Sequence, residues 1–208
     1  MSTLPEPWQT TYLERRTLIR ERLSEFQQVR KQEYFYELIF CILTPQSSQR
    51  NAEMTINELK RDNFQDTGFD PTSYLRDPRH YVRFHITKAK RLLVIRERYA
   101  EIEKLLTQKH SDIPKLRDAI IELVPGFGLK EASHFLRNIG YSGLAILDRH
   151  IFKHLLALKI IGRMPKSLTR KRYLSIEKKW LKFSAACGIS MEELDLLFWS
   201  METGEIKK

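Results

Sequence analysis

Cysteine, glycine, proline and long apolar segments are all scarce in this sequence. Its 208 residues include 2 cysteines, 8 glycines and 8 prolines. Cys41 and Cys187 lie among apolar residues, which excludes a disulfide framework and indicates a reducing compartment. No segment approaches the roughly 20 apolar residues of a membrane-spanning helix, and the polar, charged residues 1–16 do not resemble a signal peptide. We therefore expect a cytoplasmic chain.

Positive charge, in contrast, is abundant. The 36 lysines and arginines outnumber the 26 acidic residues and give a formal net charge of +10. This balance favours a polyanionic partner. An acidic membrane surface is the rival partner, but no amphipathic anchor segment supports it. Hydrophobic residues make up 42% of the chain, which predicts a folded chain with one sizeable core or two small ones.

Residues 116–150 carry the strongest pattern in the chain. Apolar residues recur at helical spacing as far as Leu123, and the sequence Pro-Gly-Phe-Gly at residues 125–128 then breaks the helix. A second helical pattern begins at once. Gly140 suits the left-handed backbone conformation that often follows a helix end. The order of these elements predicts a helix-hairpin-helix.

The glycines of this hairpin suit the binding of a phosphate. Gly126 and Gly128 allow backbone angles that other residues resist, and they leave no side chain between main-chain N–H groups and a ligand. These amides precede a helix N-terminus, whose partial positive charge attracts an anion. Such a site grips a nucleic-acid backbone without reading its sequence. An ordinary helical hairpin with a glycine turn remains the alternative at this point.

Two residues beyond the hairpin carry reactive groups. Lys130 follows Gly128 by two positions, and a lysine amine in its neutral form is a nucleophile for a sugar carbon. Asp148 directly precedes an apolar run, and as a helix N-cap it would place its carboxylate against main-chain N–H groups. Taken singly, Lys130 is a solvated surface lysine and Asp148 is merely a cap. Together, behind a helix-hairpin-helix, they indicate base excision.

Residues 123–136 and 147–150 resemble the helix-hairpin-helix DNA glycosylases typified by endonuclease III. In that superfamily a Pro-Gly-x-Gly hairpin precedes a catalytic lysine, and an aspartate follows at about this distance. More narrowly, the chain resembles the archaeal-type 8-oxoguanine DNA glycosylase/lyase family, the second of the 8-oxoguanine families. The motifs that carry the resemblance span nearly the whole chain: Phe40–Ser47 (FCILTPQS), Arg83–Lys90 (RFHITKAK), Pro125–Ala132 (PGFGLKEA), Leu147–His150 (LDRH), Trp199 and Lys208.

The resemblance also assigns residues to the substrate. It places Gln46 where superfamily members insert a polar side chain into the gap left by an extruded nucleotide. A turn with a helix cap at residues 47–48 is the other interpretation. Phe84 is either a stacking partner for a flipped base or a core aromatic. We expect Trp199 to stack on the base and the C-terminal Lys208 to help separate 8-oxoguanine from guanine.

The predicted fold is all-α, because no segment shows a convincing strand pattern. The resemblance implies a helix-hairpin-helix glycosylase fold with two helical subdomains that flank an active-site cleft. Residues 33–143 form a six-helix subdomain that includes the hairpin, and residues 1–32 join residues 144–208 in the second. Lys130 and Asp148 would then face each other across the cleft.

Periodicity predicts further elements. Lys88 and its basic neighbours are expected to contact phosphate or solvent. The basic residues within 163–182 are expected either to form a solvated helix face or to contact flanking DNA. The predicted elements are a charged helix over 8–31, an apolar helix over 34–43, a short helix over 51–59, a loop-rich stretch over 61–78, one long helix from about His85 to Leu106, and a capping box at Ser190 and Glu193.

The expected reaction is base-excision repair of 8-oxoguanine. Lys130 attacks the sugar C1′ as the base leaves, and Asp148 stabilises the developing positive charge. By resemblance, the resulting Schiff base permits β-elimination on the 3′ side, while the amides of Gly126 and Gly128 hold the DNA backbone. The expected partner is double-stranded DNA containing 8-oxoguanine, bound by a monomer that associates with the nucleoid through DNA.

No organic cofactor is expected. Many endonuclease III relatives hold an iron–sulfur cluster through four cysteines near the C-terminus, but this chain has only Cys187 there. No His/Cys/Asp spacing indicates zinc, although the resemblance allows an alkali metal ion at the hairpin carbonyls. Two alternatives remain open. The chain could be a glycosylase for another damaged base, such as an oxidised pyrimidine, or a non-catalytic helix-hairpin-helix DNA-binding module.

Overall fold

The computed structural model describes residues 4–207. Within this range the chain is helical and contains no β-strand, which confirms the predicted all-α class. None of the helices in this range is both long enough and apolar enough to cross a membrane. In chain order the helices are α1 (Trp8–Gln27), a 3₁₀ turn (Lys31–Glu33), α2 (Tyr34–Leu43), α3 (Gln49–Arg61), α4 (Phe64–Thr67), α5 (Thr72–Arg76), α6 (His85–Glu97), α7 (Tyr99–Thr107), α8 (Ile113–Leu123), α9 (Leu129–Asn138), α10 (Arg149–Ala157), α11 (Arg170–Cys187) and α12 (Met191–Thr203).

The helices group into two compact units. One unit consists of residues 30–135, and the other combines the chain before residue 30 with the chain after residue 135. Helix α9 begins in the first unit and ends in the second. The subdomain limits inferred from the sequence, 33–143 and 1–32 with 144–208, stay a prediction.

Helix α2 is the centre of the unit formed by residues 30–135. Every residue from Leu38 to Leu43 is buried, as expected for a helix that is apolar on all sides. The ring of Phe35 contacts the rings of Phe64 and Tyr99 at centroid distances of 6.2 and 4.9 Å. Full burial of one such side chain stabilises the fold by about 1.5–3 kcal/mol. The end of α2, and the turn that follows it, are therefore fixed in place.

Helix α12 is the centre of the other unit. Phe198 is fully buried and stacks on the rings of Trp180 and His154, at centroid distances of 6.1 and 4.7 Å. The helix begins with the predicted capping box, in which Ser190 and Glu193 satisfy each other's main-chain N–H groups. Helix α12 packs against α1, α10 and α11. These contacts hold the last helix of the chain in the core.

The structure corrects several predicted helix limits. The long helix predicted from His85 to Leu106 is two helices, α6 and α7, which meet at Arg98. Buried apolar residues continue at helical spacing on both sides of this break, so the spacing does not reveal it. Residues 61–78 contain the short helices α4 and α5, which are too brief to show a period. Helix α1 ends at Gln27, before the predicted limit.

Candidate functional site

The predicted helix-hairpin-helix is present. Helix α8 ends at Leu123, and α9 begins at Leu129. The N–H of Phe127 donates to the carbonyl O of Val124 at 3.2 Å. The Phe127 side chain is buried, and its ring centroid lies 6.3 Å from that of Phe135 on α9. This aromatic residue thus anchors the hairpin to the helix that follows it.

The two hairpin glycines are required for different reasons. Gly126 has a φ of +92°, a left-handed conformation that favours glycine, and a Cβ there would lie 2.5 Å from the guanidinium of Arg91. Gly128 is not among the residues with positive φ, so the prediction of unusual backbone angles is correct only for Gly126. A Cβ on Gly128 would lie 3.3 Å from Oε2 of Glu131. The binding of DNA backbone by both glycines stays a prediction.

Lys130 lies in the first turn of α9, and its side chain is 31% exposed. Its Nζ lies 3.6 Å from Oε1 of Glu131. The other oxygen of Glu131 accepts a hydrogen bond from the N–H of Gly128 at 3.2 Å. Glu131 therefore places a carboxylate at the positive end of α9, beside Lys130. Sequence reasoning missed Glu131, although a glutamate three positions after the helix cap is half of a capping box.

A cavity of about 290 Å³ adjoins the hairpin. Its lining brings together residues that are far apart in the sequence, including three of the predicted site residues and two that were not predicted: Gln46, Phe84, Gly126, Lys88 and Glu131. All of them belong to the unit formed by residues 30–135. The cavity gives this unit a concave surface next to the hairpin, lined by both apolar and polar side chains.

Two residues of this cavity have strained backbones. Gln46 and Phe84 are left-handed, with φ values of 58° and 60°. This conformation is uncommon outside glycine, and for a bulky residue such as phenylalanine it is an outlier that favours a functional explanation. Phe84 is 53% exposed, so the alternative that it is a core aromatic is wrong. Ser48 caps α3 by accepting a hydrogen bond from the N–H of Asn51 at 3.1 Å, while the role of Gln46 stays a prediction.

A buried lysine holds the turn that carries Gln46. Lys88 is 3% exposed. Its Nζ donates hydrogen bonds to the carbonyl oxygens of Leu43 and Pro45 at 2.7 and 2.8 Å, and to Oγ of Ser47 at 3.3 Å. The ammonium group thus satisfies the carbonyl groups at the end of α2 and fixes the residues on both sides of Gln46.

The prediction that Lys88 meets phosphate or solvent is therefore wrong. Burial lowers the pKa of Lys88 from its usual 10.5 to about 8, and the positive charges of Arg91 and Arg83 add to this effect. A signal was present in the sequence, because Lys88 precedes Leu92 by four positions and therefore lies on the buried face of α6. Its charge alone had suggested exposure.

In the other unit, Asp148 is the N-cap of α10, as predicted. Its Oδ1 accepts hydrogen bonds from the N–H groups of His150 and Ile151, both at 2.8 Å. Its Oδ2 accepts a hydrogen bond from the indole Nε1 of Trp199 at 2.9 Å. Both carboxylate oxygens are therefore held in fixed directions.

The segment before Asp148 is buried and irregular rather than helical. Residues 144–147 are all buried. The hydroxyl of Tyr173 donates to the carbonyl O of Ala145 at 2.5 Å, and the N–H of Ala145 donates to Oε2 of Glu177 at 2.8 Å. Helix α11 thus supplies the hydrogen-bond partners that a strand would otherwise provide, and this fixes the chain leading to Asp148.

Trp199 has a contact that the sequence did not indicate. Besides its hydrogen bond to Asp148, its ring lies 5.3 Å from the ring of His150. The predicted stacking of Trp199 on a base stays a prediction. The C-terminal Lys208 lies outside the described residues, and so does its predicted contact with the base.

A glycine hairpin between two helices, with a lysine in the next turn and an aspartate N-cap further on, defines a helix-hairpin-helix protein. A family model described as 8-oxoguanine DNA glycosylase matches residues 19–189. The 8-oxoguanine DNA glycosylase/AP lyase of Fusobacterium nucleatum is 38% identical over 206 residues, which cover 95% of this chain and 94% of the relative. The chain therefore belongs to the 8-oxoguanine DNA glycosylase family.

Solved structures support the same assignment. The 8-oxoguanine DNA glycosylase of Thermotoga maritima is similar with a TM-score of 0.84 and 28% identity, covering 97% of this chain and 96% of that chain. The Methanocaldococcus jannaschii 8-oxoguanine glycosylase/lyase in complex with a 15-mer DNA containing 8-oxoguanine has a TM-score of 0.80 and 27% identity, covering 96% of this chain and 98% of that chain. These similarities confirm the predicted helix-hairpin-helix glycosylase fold.

Proposed function

We propose that this chain excises 8-oxoguanine from double-stranded DNA and then cleaves the strand at the resulting abasic site. The relatives that support this are named 8-oxoguanine DNA glycosylase/AP lyase. The observation that carries the proposal is the position of Lys130, in the first turn after the glycine hairpin and within the matched residues 19–189. Binding of a phosphate requires no lysine at this position, whereas a lyase reaction requires an amine.

Lys130 is the proposed nucleophile. Its neutral amine forms a bond to C1′ while the bond from C1′ to the base breaks, and the base leaves with that electron pair and takes up a proton. Opening of the sugar ring then gives a Schiff base between Nζ and C1′. Loss of a proton from C2′ expels the 3′ phosphate by β-elimination, which cleaves the strand on the 3′ side.

Asp148 is the proposed electrostatic partner. As the C1′–base bond breaks, positive charge develops on the sugar, and a carboxylate fixed in advance stabilises it without reorganisation. The hydrogen bonds from His150, Ile151 and Trp199 supply this fixed orientation. Asp148→Asn would keep the shape of the side chain and remove its charge.

The remaining site residues are proposed to bind DNA. The hairpin amides at Gly126 and Gly128 would hold the phosphate backbone. Gln46 would fill the gap left by the extruded nucleotide, and its exposed, strained position beside the cavity supports this role. Phe84 and Trp199 would stack on bases. Lys208, at the chain end, would contact the 8-oxoguanine.

Excision on matched duplexes tests the proposal. Three duplexes of one sequence would carry 8-oxoguanine, an oxidised pyrimidine or only normal bases, and both free base and strand breaks would be measured under single-turnover conditions. We expect activity on the 8-oxoguanine duplex alone, with Lys130→Gln and Asp148→Asn inactive but still able to bind. Activity only on the oxidised pyrimidine would support another glycosylase. Salt-sensitive binding without any cleavage would support a DNA-binding module.

The proposed enzyme acts as a monomer without an organic cofactor or an iron–sulfur cluster. Sedimentation with and without the 8-oxoguanine duplex measures the number of chains in each complex. Excision by protein that has been treated with a chelator measures the need for a metal ion. Loss of excision after dialysis into a buffer free of alkali metal ions, restored by an alkali metal salt, would support the ion expected at the hairpin carbonyls.

A further inference from the structure

A buried histidine and two carboxylates meet in the unit formed by residues 30–135. His80 Nε2 lies 3.2 Å from Oε2 of Glu58 and 3.9 Å from Oδ2 of Asp77. The His80 side chain has 0% exposure, whereas those of Glu58 and Asp77 are 21% and 20% exposed. The three ligand atoms all lie within 4.8 Å of one another. Ligands of a tetrahedral zinc ion lie about 3.3 Å apart, so this cluster has nearly the dimensions of a metal site.

The position of the proton on the His80 ring can be assigned from Thr55. The hydroxyl of Thr55 donates its single proton to the carbonyl O of Asn51 at 2.9 Å. Toward His80 Nδ1, at 3.2 Å, it can then only accept. With the Thr55 proton on the Asn51 carbonyl, the ring proton of His80 lies on Nδ1, and in a neutral ring Nε2 directs its lone pair at the two carboxylates.

This arrangement leaves a buried polar atom without a suitable partner. Within the described residues, His80 Nε2 makes no hydrogen bond. Its nearest neighbours, the oxygens of Glu58 and Asp77, can only accept when they are ionised. In this tautomer a lone pair faces two carboxylates, and either a metal ion between them or a second proton on the ring would satisfy all three groups.

His154, in the other unit, shows the opposite arrangement. The indole N–H of Trp8 can only donate, and it lies 2.8 Å from His154 Nδ1. Nδ1 is therefore the acceptor, and Nε2 carries the ring proton toward Oε1 of Glu202 at 3.2 Å. His154 Nε2, like His80 Nε2, makes no hydrogen bond within the described residues, but in a neutral ring it directs a proton and not a lone pair at its glutamate, at the same nitrogen–oxygen distance of 3.2 Å. His154 is therefore a matched control, a buried histidine beside a glutamate that needs no cation.

We propose that Glu58, Asp77 and His80 bind one divalent transition-metal ion, of which Zn²⁺ is the natural probe. One imidazole nitrogen and two carboxylate oxygens suit zinc and leave a fourth position for water, whereas magnesium prefers oxygen ligands alone. Thr55 supplies the outer hydrogen bond that orients a metal-binding histidine. The ion would link helix α3 with the turn that follows helix α5. This site is separate from the residues proposed for excision.

Arg79 is the internal competitor of the metal ion. Its guanidinium lies 2.6 Å from Oδ2 of Asp77 and 3.3 Å from Oε1 of Glu58. The Arg79 side chain is 70% exposed, so it can move into solvent when an ion binds. Removal of the guanidinium should therefore leave both carboxylates available to the metal ion.

Calorimetric titration with ZnCl₂ tests the proposal, on full-length protein freed of metal with a chelator that is then removed. We expect one Zn²⁺ per chain and a higher melting temperature with the ion bound. His80→Gln should weaken binding by a factor of about 100 or more. Loss of the hydrogen-bond partner of a metal ligand typically lowers metal affinity by about 10–100-fold, and this variant removes the ligand itself. His154→Gln should bind as the wild type does, and Arg79→Ala should bind more tightly.

Two measurements keep the test decisive. Circular dichroism without metal shows whether His80→Gln is folded, and Glu58→Gln provides the same comparison if it is not. Nitrogen NMR of the histidine rings should show Nδ1 of His80 protonated and a shift of Nε2 on adding Zn²⁺, with no such change on adding Mg²⁺. The proposal is overturned by the absence of saturable binding, by equal affinity in wild type and His80→Gln, or by a His80 ring that carries two protons with and without zinc.

Discussion

Replacement of Lys88 by methionine should destabilise the protein, because methionine keeps the length of the side chain and removes its donors. Lys88 makes two short hydrogen bonds and one longer one, which together contribute about 4–7 kcal/mol at typical values for a charged donor. The fall of its pKa from 10.5 to about 8 corresponds to a burial cost of roughly 3 kcal/mol. The net loss in the free energy of unfolding is therefore about 1–4 kcal/mol.

The effect of pH on this loss has a definite sign. The unfolded chain keeps the Lys88 proton up to pH 10.5, whereas the folded chain releases it near pH 8. Between these values the unfolded state binds more protons, so the wild type gains stability as the pH rises, and this contribution is lost as the pH falls through 8. Methionine does not titrate. The difference in stability between wild type and Lys88→Met should therefore widen from pH 8 to pH 10.

Urea denaturation at pH 7, 8, 9 and 10 measures this difference. Lys90→Met is the matched control, because Lys90 lies on the same helix but is exposed, and its loss should change stability by less than about 0.5 kcal/mol. Equal stability of the two variants would refute the assignment of three hydrogen bonds to Lys88. A difference that narrows as the pH rises would refute the direction of its pKa shift.

Two further substitutions test the fixed geometry of the site. Trp199→Phe keeps an aromatic ring but removes the hydrogen bond to Asp148, so single-turnover excision should fall about tenfold or more while duplex affinity is retained. Unchanged excision would show that stacking is the only role of Trp199. Gly126→Ala should cost about 1–3 kcal/mol in urea denaturation because of its left-handed backbone. Gly128→Ala, whose φ is not positive, should cost less, and the reverse order would contradict the assignment.

The parts of the site that depend on neighbouring residues could be predicted from the sequence. The hairpin, the N-cap at Asp148 and the capping box at Ser190 each follow from residues within a few positions of one another. In such segments the backbone itself brings the groups together, so residue type and spacing are sufficient. The all-α class follows in the same way from periodicity.

The contacts that were missed join residues far apart in the chain. Lys88 meets the carbonyl of Leu43 across 45 positions, and Trp199 meets Asp148 across 51. Packing of whole helices creates these contacts, and no local pattern encodes them. The same holds for the cluster of Glu58 and His80, which lie on separate elements. Local spacing had therefore given no indication of a metal site.

Reductive trapping tests the central claim most directly. Borohydride converts a Schiff base between Lys130 and the sugar C1′ into a stable covalent bond, and mass spectrometry of the digested complex identifies the modified residue. We predict a one-to-one adduct on Lys130 that forms with a duplex containing 8-oxoguanine and does not form with an undamaged duplex or with Lys130→Gln. An adduct on another lysine, or excision of 8-oxoguanine by Lys130→Gln at the wild-type rate, would contradict the account.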